Sequence, residues 1–139
     1  MRIFLDANVL FSASRSAGAI RQLVYGLHAA GHTLVADEYV ATEARRNIVG
    51  KASAEAQAYL EALLSQIEVS AVHFPVTAQS VVQWLPEKDR PVLMAAMELR
   101  CDALVTGDRT HFGPGYGQVF GGVTLYTPAQ LARAIFPLS

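Results

Sequence analysis

The sequence predicts an α/β domain built on a mainly parallel sheet of about five strands. Three observations predict it. Short apolar runs alternate along the chain with longer segments of helical periodicity, the pattern of strands joined by crossover helices. Two of the runs, Ile3-Phe4-Leu5 and Ala103-Leu104-Val105, lack the polar alternation of a half-exposed strand, as befits strands covered on both faces. With 139 residues, 52% hydrophobic and 17% charged, the chain reads as one ordered domain over residues 1–139.

In order, residues 2–5 form the first strand, which Asp6 ends. Residues 18–30 form a helix whose Ile20, Leu23, Val24 and Leu27 share one face, and Gly31 closes it. Residues 33–36 are a second strand. Helices follow at 38–49 and 54–66, separated by a break at Gly50 and Ser53, and Ile67 to Val72 is a third strand. A short helix covers about 78–84, before Pro86. Asp89 begins the next helix, with Pro91 in its first turn, where a missing N–H costs nothing. Residues 103–106 are a fourth strand leading into Gly107-Asp108. Residues 123–126 are the fifth, and Pro128 opens a last helix to about Phe136.

No apolar run approaches the roughly 18 residues of a membrane helix. The opening run stops at Asp6, short of the roughly 7–15 apolar residues of a secretory signal. The single cysteine, Cys101, permits no disulfide within the chain. These features point to a cytoplasmic protein with no membrane partner. Net charge is −1, and nine of the eleven basic residues are arginine, whose planar fork suits phosphate. Setting aside Asp6, Glu43, Asp89 and Asp108 leaves eight acids against eleven bases, so charge alone leaves the partner open.

Those four acids carry the chemistry. Asp6 follows the first strand directly and Asp108 follows the fourth by one glycine, so both fall at the carboxyl edge of a parallel sheet, where ligands bind. Each acid has an ordinary explanation: Asp6, Asp89 and Asp108 as helix caps, Glu43 as a solvent-facing helix residue. As a group they would repel one another and raise each other's pKa values, which a fold tolerates when a cation shares them. Oxygen-only ligands suit Mg²⁺ or Mn²⁺, which keep water and accept substrate phosphates. Such ions activate water and stabilise the leaving oxygen of a phosphodiester.

Four segments carry a resemblance. Ile3-Phe4-Leu5-Asp6-Ala7-Asn8-Val9-Leu10, Thr42-Glu43-Ala44-Arg45-Arg46, Lys88-Asp89-Arg90-Pro91-Val92-Leu93-Met94-Ala95-Ala96 and Leu104-Val105-Thr106-Gly107-Asp108 resemble, in order and spacing, the motifs of the PIN domain family, which includes VapC-like toxins. The resemblance implies a three-layer α-β-α fold and Mg²⁺- or Mn²⁺-dependent endoribonuclease activity. It also implies an antitoxin partner, as in type II toxin–antitoxin pairs, and a homodimer. Asp6, Glu43, Asp89 and Asp108 match the acidic motif positions, as catalytic groups and metal ligands. Asn8 and Thr106 match polar positions beside the first and last acids. The chain departs from the pattern after Asp108, where some members carry a further aspartate. Here Asp108-Arg109-Thr110-His111-Phe112 offers His111 instead. One well-held metal ion is the resulting expectation, with a second recruited by RNA.

Arg45, Arg46, Arg90, Arg109 and His111 adjoin the acids in sequence and are candidates for RNA contact, against the plainer reading of solvated surface residues. Asp37 and Glu38 also follow a strand and compete with Glu43, although Asp37 suits a helix cap. The segment from Gly113 to Gly122, with five glycines, is a surface loop or else a flap whose Tyr116 and Phe120 stack a base. Trp84 and Cys101 read as packing residues. His28, His32 and His73 have no metal-ligand spacing. A haloacid-dehalogenase-type phosphatase would need a second aspartate where Asn8 stands, and a receiver domain would need adjacent acids after the first strand. The competing reading is an inert module of the same fold that binds RNA or protein.

Overall fold

The structure, a computed structural model, describes residues 1–72 and 79–137. It has three layers, with a six-stranded sheet between helices. The strands are β1 (Arg2–Leu5), β2 (Thr33–Asp37), β3 (Glu68–Ser70), β4 (Ala103–Val105), β5 (Val119–Phe120) and β6 (Val123–Tyr126), in the spatial order β3-β2-β1-β4-β6-β5. All neighbours pair in parallel except β5 and β6. β1 and β4 form the centre, with Leu5 opposite Val105, and Ile3, Phe4, Leu5, Ala103, Leu104 and Val105 are all fully buried. A strand covered on both faces has no solvent side to place polar residues on, which is why these runs are apolar throughout.

The helices are α1 (Ala7–Arg15), α2 (Ala19–Ala29), α3 (Glu38–Lys51), α4 (Ala54–Gln66), α5 (Gln79–Val82), α6 (Arg90–Glu98), α7 (Arg109–Phe112) and α8 (Pro128–Ile135). Gly31, at φ +88°, takes the left-handed conformation that lets the chain leave α2 and enter β2. Asp37 caps α3 through Val40 N–H, Ser53 caps α4 through Ala56 N–H, and Thr127 forms a reciprocal capping box with Gln130 on α8. Among the described residues no helix is long and apolar enough to cross a membrane.

Three elements escape the element-by-element sequence reading: α1, the four-residue α7 after Asp108, and β5. α1 is a full nine-residue helix where the sequence offered only a cap role for Asp6. Its Asn8, Ser12 and Ser14 are poor helix formers. Its stability comes from tertiary burial of Val9, Leu10 and Ala13 against α2, α3 and α4. β5 is two residues long inside the glycine-rich stretch, too short to show a period. The expected helix at about 78–84 is α5, which spans Gln79–Val82 and gives way to a turn at residues 83–84, while residue 78 and His73 lie outside the described residues. The expected strand from Ile67 to Val72 shrinks to β3, and α3 continues through Gly50.

The glycine-rich stretch is not a base-stacking flap. Phe120 stacks on Trp84 with ring centroids 4.9 Å apart, Trp84 meets Phe112 edge-on at 6.4 Å, and Tyr116 Oη donates to the Thr106 carbonyl at 2.7 Å. These aromatics pack the segment onto the domain. Gly115 lies beneath them: a Cβ there would come within 2.5 Å of Trp84 and 2.9 Å of Leu125. Gly115→Ala should therefore cost about 1–3 kcal/mol through overpacking. Thermal or urea unfolding checks this, and an unchanged midpoint would refute the packing account.

Candidate active site

The strand order reverses between β1 and β4, since β1 leads outward to β2 and β4 lies on its other side. Ligand crevices in open α/β sheets form at the carboxyl ends of strands at such a point. Asp6 and Asp108 both occupy that edge. Asp6 is 5% exposed. Its Oδ1 accepts from Ala7 N–H at 2.8 Å, capping α1. Its Oδ2 accepts from the Thr106 hydroxyl at 2.7 Å and the Asn8 amide at 3.2 Å. Asn8 also donates to Thr106 Oγ1 at 3.1 Å and accepts from Gly107 N–H at 2.8 Å. Two adjacent strand ends are thus tied by one polar network around a single carboxylate. Asp108 caps α7 through His111 N–H at 3.2 Å.

Asp89 does not cap α6, although it stands at the N-cap position. It closes a 3₁₀ turn (Glu87–Asp89) with φ −97° and ψ −14°, and its side chain makes no capping hydrogen bond. An N-cap needs extended backbone to swing its oxygen onto the helix N–H groups, and helical backbone prevents that. Glu43 is an exposed residue of α3 with Asn47 one turn further on. Its rivals are engaged elsewhere: Asp37 is buried in its cap, and Glu38 lies 3.6 Å from Arg45.

Asp6, Glu43, Asp89 and Asp108 line one cavity of about 380 Å³, together with Lys88, Asn8, Ser12, Asn47 and Gly107. Neither Asp37 nor Glu38 is on its wall. Among the described residues, Lys88 is the one basic side chain on that wall, set against four carboxylates. Burial pushes Asp6 up to about 6, the Thr106 and Ala7 hydrogen bonds oppose it, and the charges of Glu43 and Asp89 push it further up. Asp89 is also raised, mainly by burial, while His111 and Lys88 pull it down. Convergent carboxylate oxygens that repel one another form a site that a hard divalent cation fits.

A profile of the PIN domain matches residues 2–110. The chain belongs to the PIN domain family. No curated protein sequence matches this PIN domain. Solved structures do. The VapBC2 complex of Rickettsia felis, bound to promoter DNA, superposes with TM-score 0.65 at 17% identity, over 91% of this chain and 98% of that one. FitAcB of Neisseria gonorrhoeae gives 0.63 at 15% identity, over 91% and 98%. VapC20 of Mycobacterium tuberculosis, a sarcin–ricin-loop-cleaving toxin, gives 0.60 at 12% identity, over 85% and 98%. At these identities the likeness concerns the fold.

Around the cavity of this PIN domain, the arginines divide. Arg45 is held in bidentate fashion by Glu61 at 2.9 and 3.1 Å, and Arg90 donates to the carbonyls of Leu85 and Gln83. Both brace the fold. Arg46 and Arg109 are exposed. His111 is not on the cavity wall, but its Nδ1 lies 2.9 Å from Oδ2 of both Asp89 and Asp108.

Lys88, Ser12, Asn47 and Tyr39 were not singled out from the sequence, and Tyr116 only as an aromatic of the glycine-rich stretch. Only Lys88, adjoining Asp89, sits within a motif. Burial pushes the Tyr116 phenol up to about 12, so it stays a donor to Thr106. Tyr39 Oη donates to the Lys88 carbonyl at 2.7 Å, tying the Asp89 turn to α3. Its phenol is raised by burial and then by Glu43 and Asp89, so it too stays protonated. Tyr39→Phe should leave the fold intact, with a loss of about 0.5–1.5 kcal/mol. By loosening the turn that presents Asp89, it should also lower about tenfold any cleavage that depends on that acid, since small misplacements are costly. Wild-type kcat would refute the positioning role.

Proposed function

We propose that this PIN domain is a divalent-metal-dependent endoribonuclease that hydrolyses RNA phosphodiester bonds, acting as the toxin of a type II toxin–antitoxin pair. The observation that carries the reading is the convergence of Asp6, Glu43, Asp89 and Asp108 on one cavity at the β1–β4 switch point, with Lys88 as the one cation on its wall among the described residues. In support, VapC20 is a toxin that cleaves the sarcin–ricin loop, and VapBC2, which superposes on this chain, is bound to a fragment of its promoter DNA.

In this reading Asp6, Asp89, Asp108 and Glu43 hold Mg²⁺ or Mn²⁺. When bound, such a cation activates water and neutralises charge on the phosphate and the leaving oxygen. The chain's own groups do the rest. Thr106 and Asn8 fix the rotamer of Asp6, so its carboxylate meets the site without reorganisation. Lys88 reaches the scissile phosphate from the cavity wall. Ser12 and Asn47 are hydrogen-bond partners for ribose or base, and Arg46 and Arg109 steer neighbouring phosphates. An antitoxin and a second copy of the chain are the proposed protein partners.

Purified protein incubated with single-stranded and structured RNA should cleave it with Mn²⁺ or Mg²⁺ and not with EDTA. Cleavage that persists in EDTA would overturn the mechanism. Tight RNA binding with no cleavage under any metal would favour the inert module. Expression alone should arrest growth, and co-expression of an adjacent small gene should relieve it. Harmless overproduction of active enzyme would favour a housekeeping nuclease.

A further inference from the structure

We propose that two connected grooves leading away from the acid-lined cavity, between α2 and α8, form a subsite for the RNA nucleotide beside the scissile bond: an apolar slot for its base, then an arginine pair for its phosphate. This rests on the ribonuclease reading and adds to it a single-stranded track with a fixed course over the surface.

The first groove, of about 380 Å³, lies between α2 and α8, with Ile20, Leu23, Pro128 and Ala132 on its wall. Ile20, Gly107 and Pro128 also line the acid-lined cavity, so one opens into the other. Ile20 and Leu23 are half-buried, packing on the core while leaving an aliphatic strip uncovered beside a polar site. The second groove, of about 450 Å³, continues past Arg109, Thr127 and Ala129, which line both grooves, and reaches Arg133. Among the described residues neither groove has an acid on its wall, whereas the cavity they leave has four.

The two arginines stand apart from others in the chain. Arg2 and Arg45 grip Glu68 and Glu61, and Arg21 and Arg90 donate to backbone carbonyls. Arg109 and Arg133 are exposed, with no hydrogen bond or ion pair from either guanidinium among the described residues. Like charges on one wall repel, and an anion between them reverses the sign of that interaction. Phosphate is the anion whose oxygens match the planar fork. The apolar slot suits a base, since every nucleobase has an apolar face and such contact tolerates any sequence. Only an unpaired strand can turn a base out of its stack into such a slot. The order from acids to slot to arginines matches the alternation of phosphate and base along a single strand. A peptide without acidic side chains would fill the slot and leave the arginines unmatched, so charge favours RNA as the occupant.

The test uses the full chain in EDTA, which should hold RNA uncleaved, with a short fluorescent single-stranded RNA followed by anisotropy across a salt series. Arg133→Ala should weaken binding about fivefold at low salt, the upper end for an exposed ion pair. It should also lower the slope of log affinity against log salt by about 0.7, the share of one phosphate contact on a single strand. Arg133→Lys keeps the charge and should keep the slope. The same RNA carrying thiouridine should crosslink under long-wavelength light to α2 near Leu23 and to α8 near Ala132. Ala129→Trp, an exposed position on both walls, should block those crosslinks, and a fully paired duplex should give none. An unchanged slope in Arg133→Ala, with crosslinks outside α2 and α8, overturns the track, and metal-stimulated cleavage by the same protein then leaves the nuclease reading standing. No RNA binding together with no metal-stimulated cleavage overturns both. Wild-type RNA binding by Arg133→Ala and Ala129→Trp, with lost capture of the protein encoded by the adjacent small gene, gives the grooves to a protein partner and overturns the RNA subsite.

Discussion

Asp6→Asn should reduce RNA cleavage by at least about 100-fold, the upper end of what losing one supporting partner of a metal ligand costs, while making the metal-free protein more stable at neutral pH. The two effects have one cause. Asp6 is buried and faces the charges of Glu43 and Asp89, so its ionised form is held at a cost in the absence of a cation. The amide removes that charge and nearly preserves shape. It also places an N–H₂ group against either Ala7 N–H or the Thr106 and Asn8 donors, losing hydrogen bonds worth about 1 kcal/mol. The net gain should be on the order of 1–2 kcal/mol. Cleavage assays and thermal unfolding in EDTA check the pair of effects. Wild-type cleavage by the variant would remove Asp6 from the site, and a destabilised variant would show that its hydrogen bonds outweigh its charge.

Metal removal should expose a pH dependence of stability that metal conceals. The Asp6 carboxyl rises from 3.8 to about 6 on folding, so below about pH 4 it is protonated in both states and its contribution is fully present. As pH rises through about 6 the folded protein must ionise a buried group, and stability falls by on the order of 3 kcal/mol. Asp89 and Asp37 are raised as well, by burial, and add to the loss in the same direction. The metal-free protein should therefore unfold at lower temperature at pH 7 than at pH 5. Added Mn²⁺ or Mg²⁺ should restore the loss, since a ligand that binds only the folded state stabilises it. A midpoint that does not fall between pH 5 and 7 in EDTA would contradict the burial of an ionising Asp6.

Much of this fold was legible along the chain because its strongest signals are local. β1 and β4 are unbroken apolar runs, α2 carries a clean apolar face ending at Gly31, and α4 lies between Ser53 and Ile67 as its cap and pattern indicate. α1 was not legible, because its propensity is weak and its burial partners lie in α2, α3 and α4. β5 was not, because two residues carry no period. Among the acids, Asp37 was legible as a cap from its place before Glu38-Tyr39-Val40. Asp89 looked like one for the same reason and is not, because its backbone is helical rather than extended.

Composition, strand and helix periodicity, and four short acidic motifs were enough to establish an α/β domain of this family with its acids near one sheet edge. Those are properties of neighbouring residues. Contacts across the chain required the folded molecule. Only the β1–β4 pairing brings Thr106 onto Asp6 across 100 positions. Only the α7 turn, closed on Asp108, carries His111 back to Asp89. Arg45 and Arg90, beside acids in sequence, turn away because Glu61 and the Gln83 and Leu85 carbonyls lie nearer in space. Sequence adjacency orients a backbone, but a side chain's partners are chosen by packing among elements far apart along the chain.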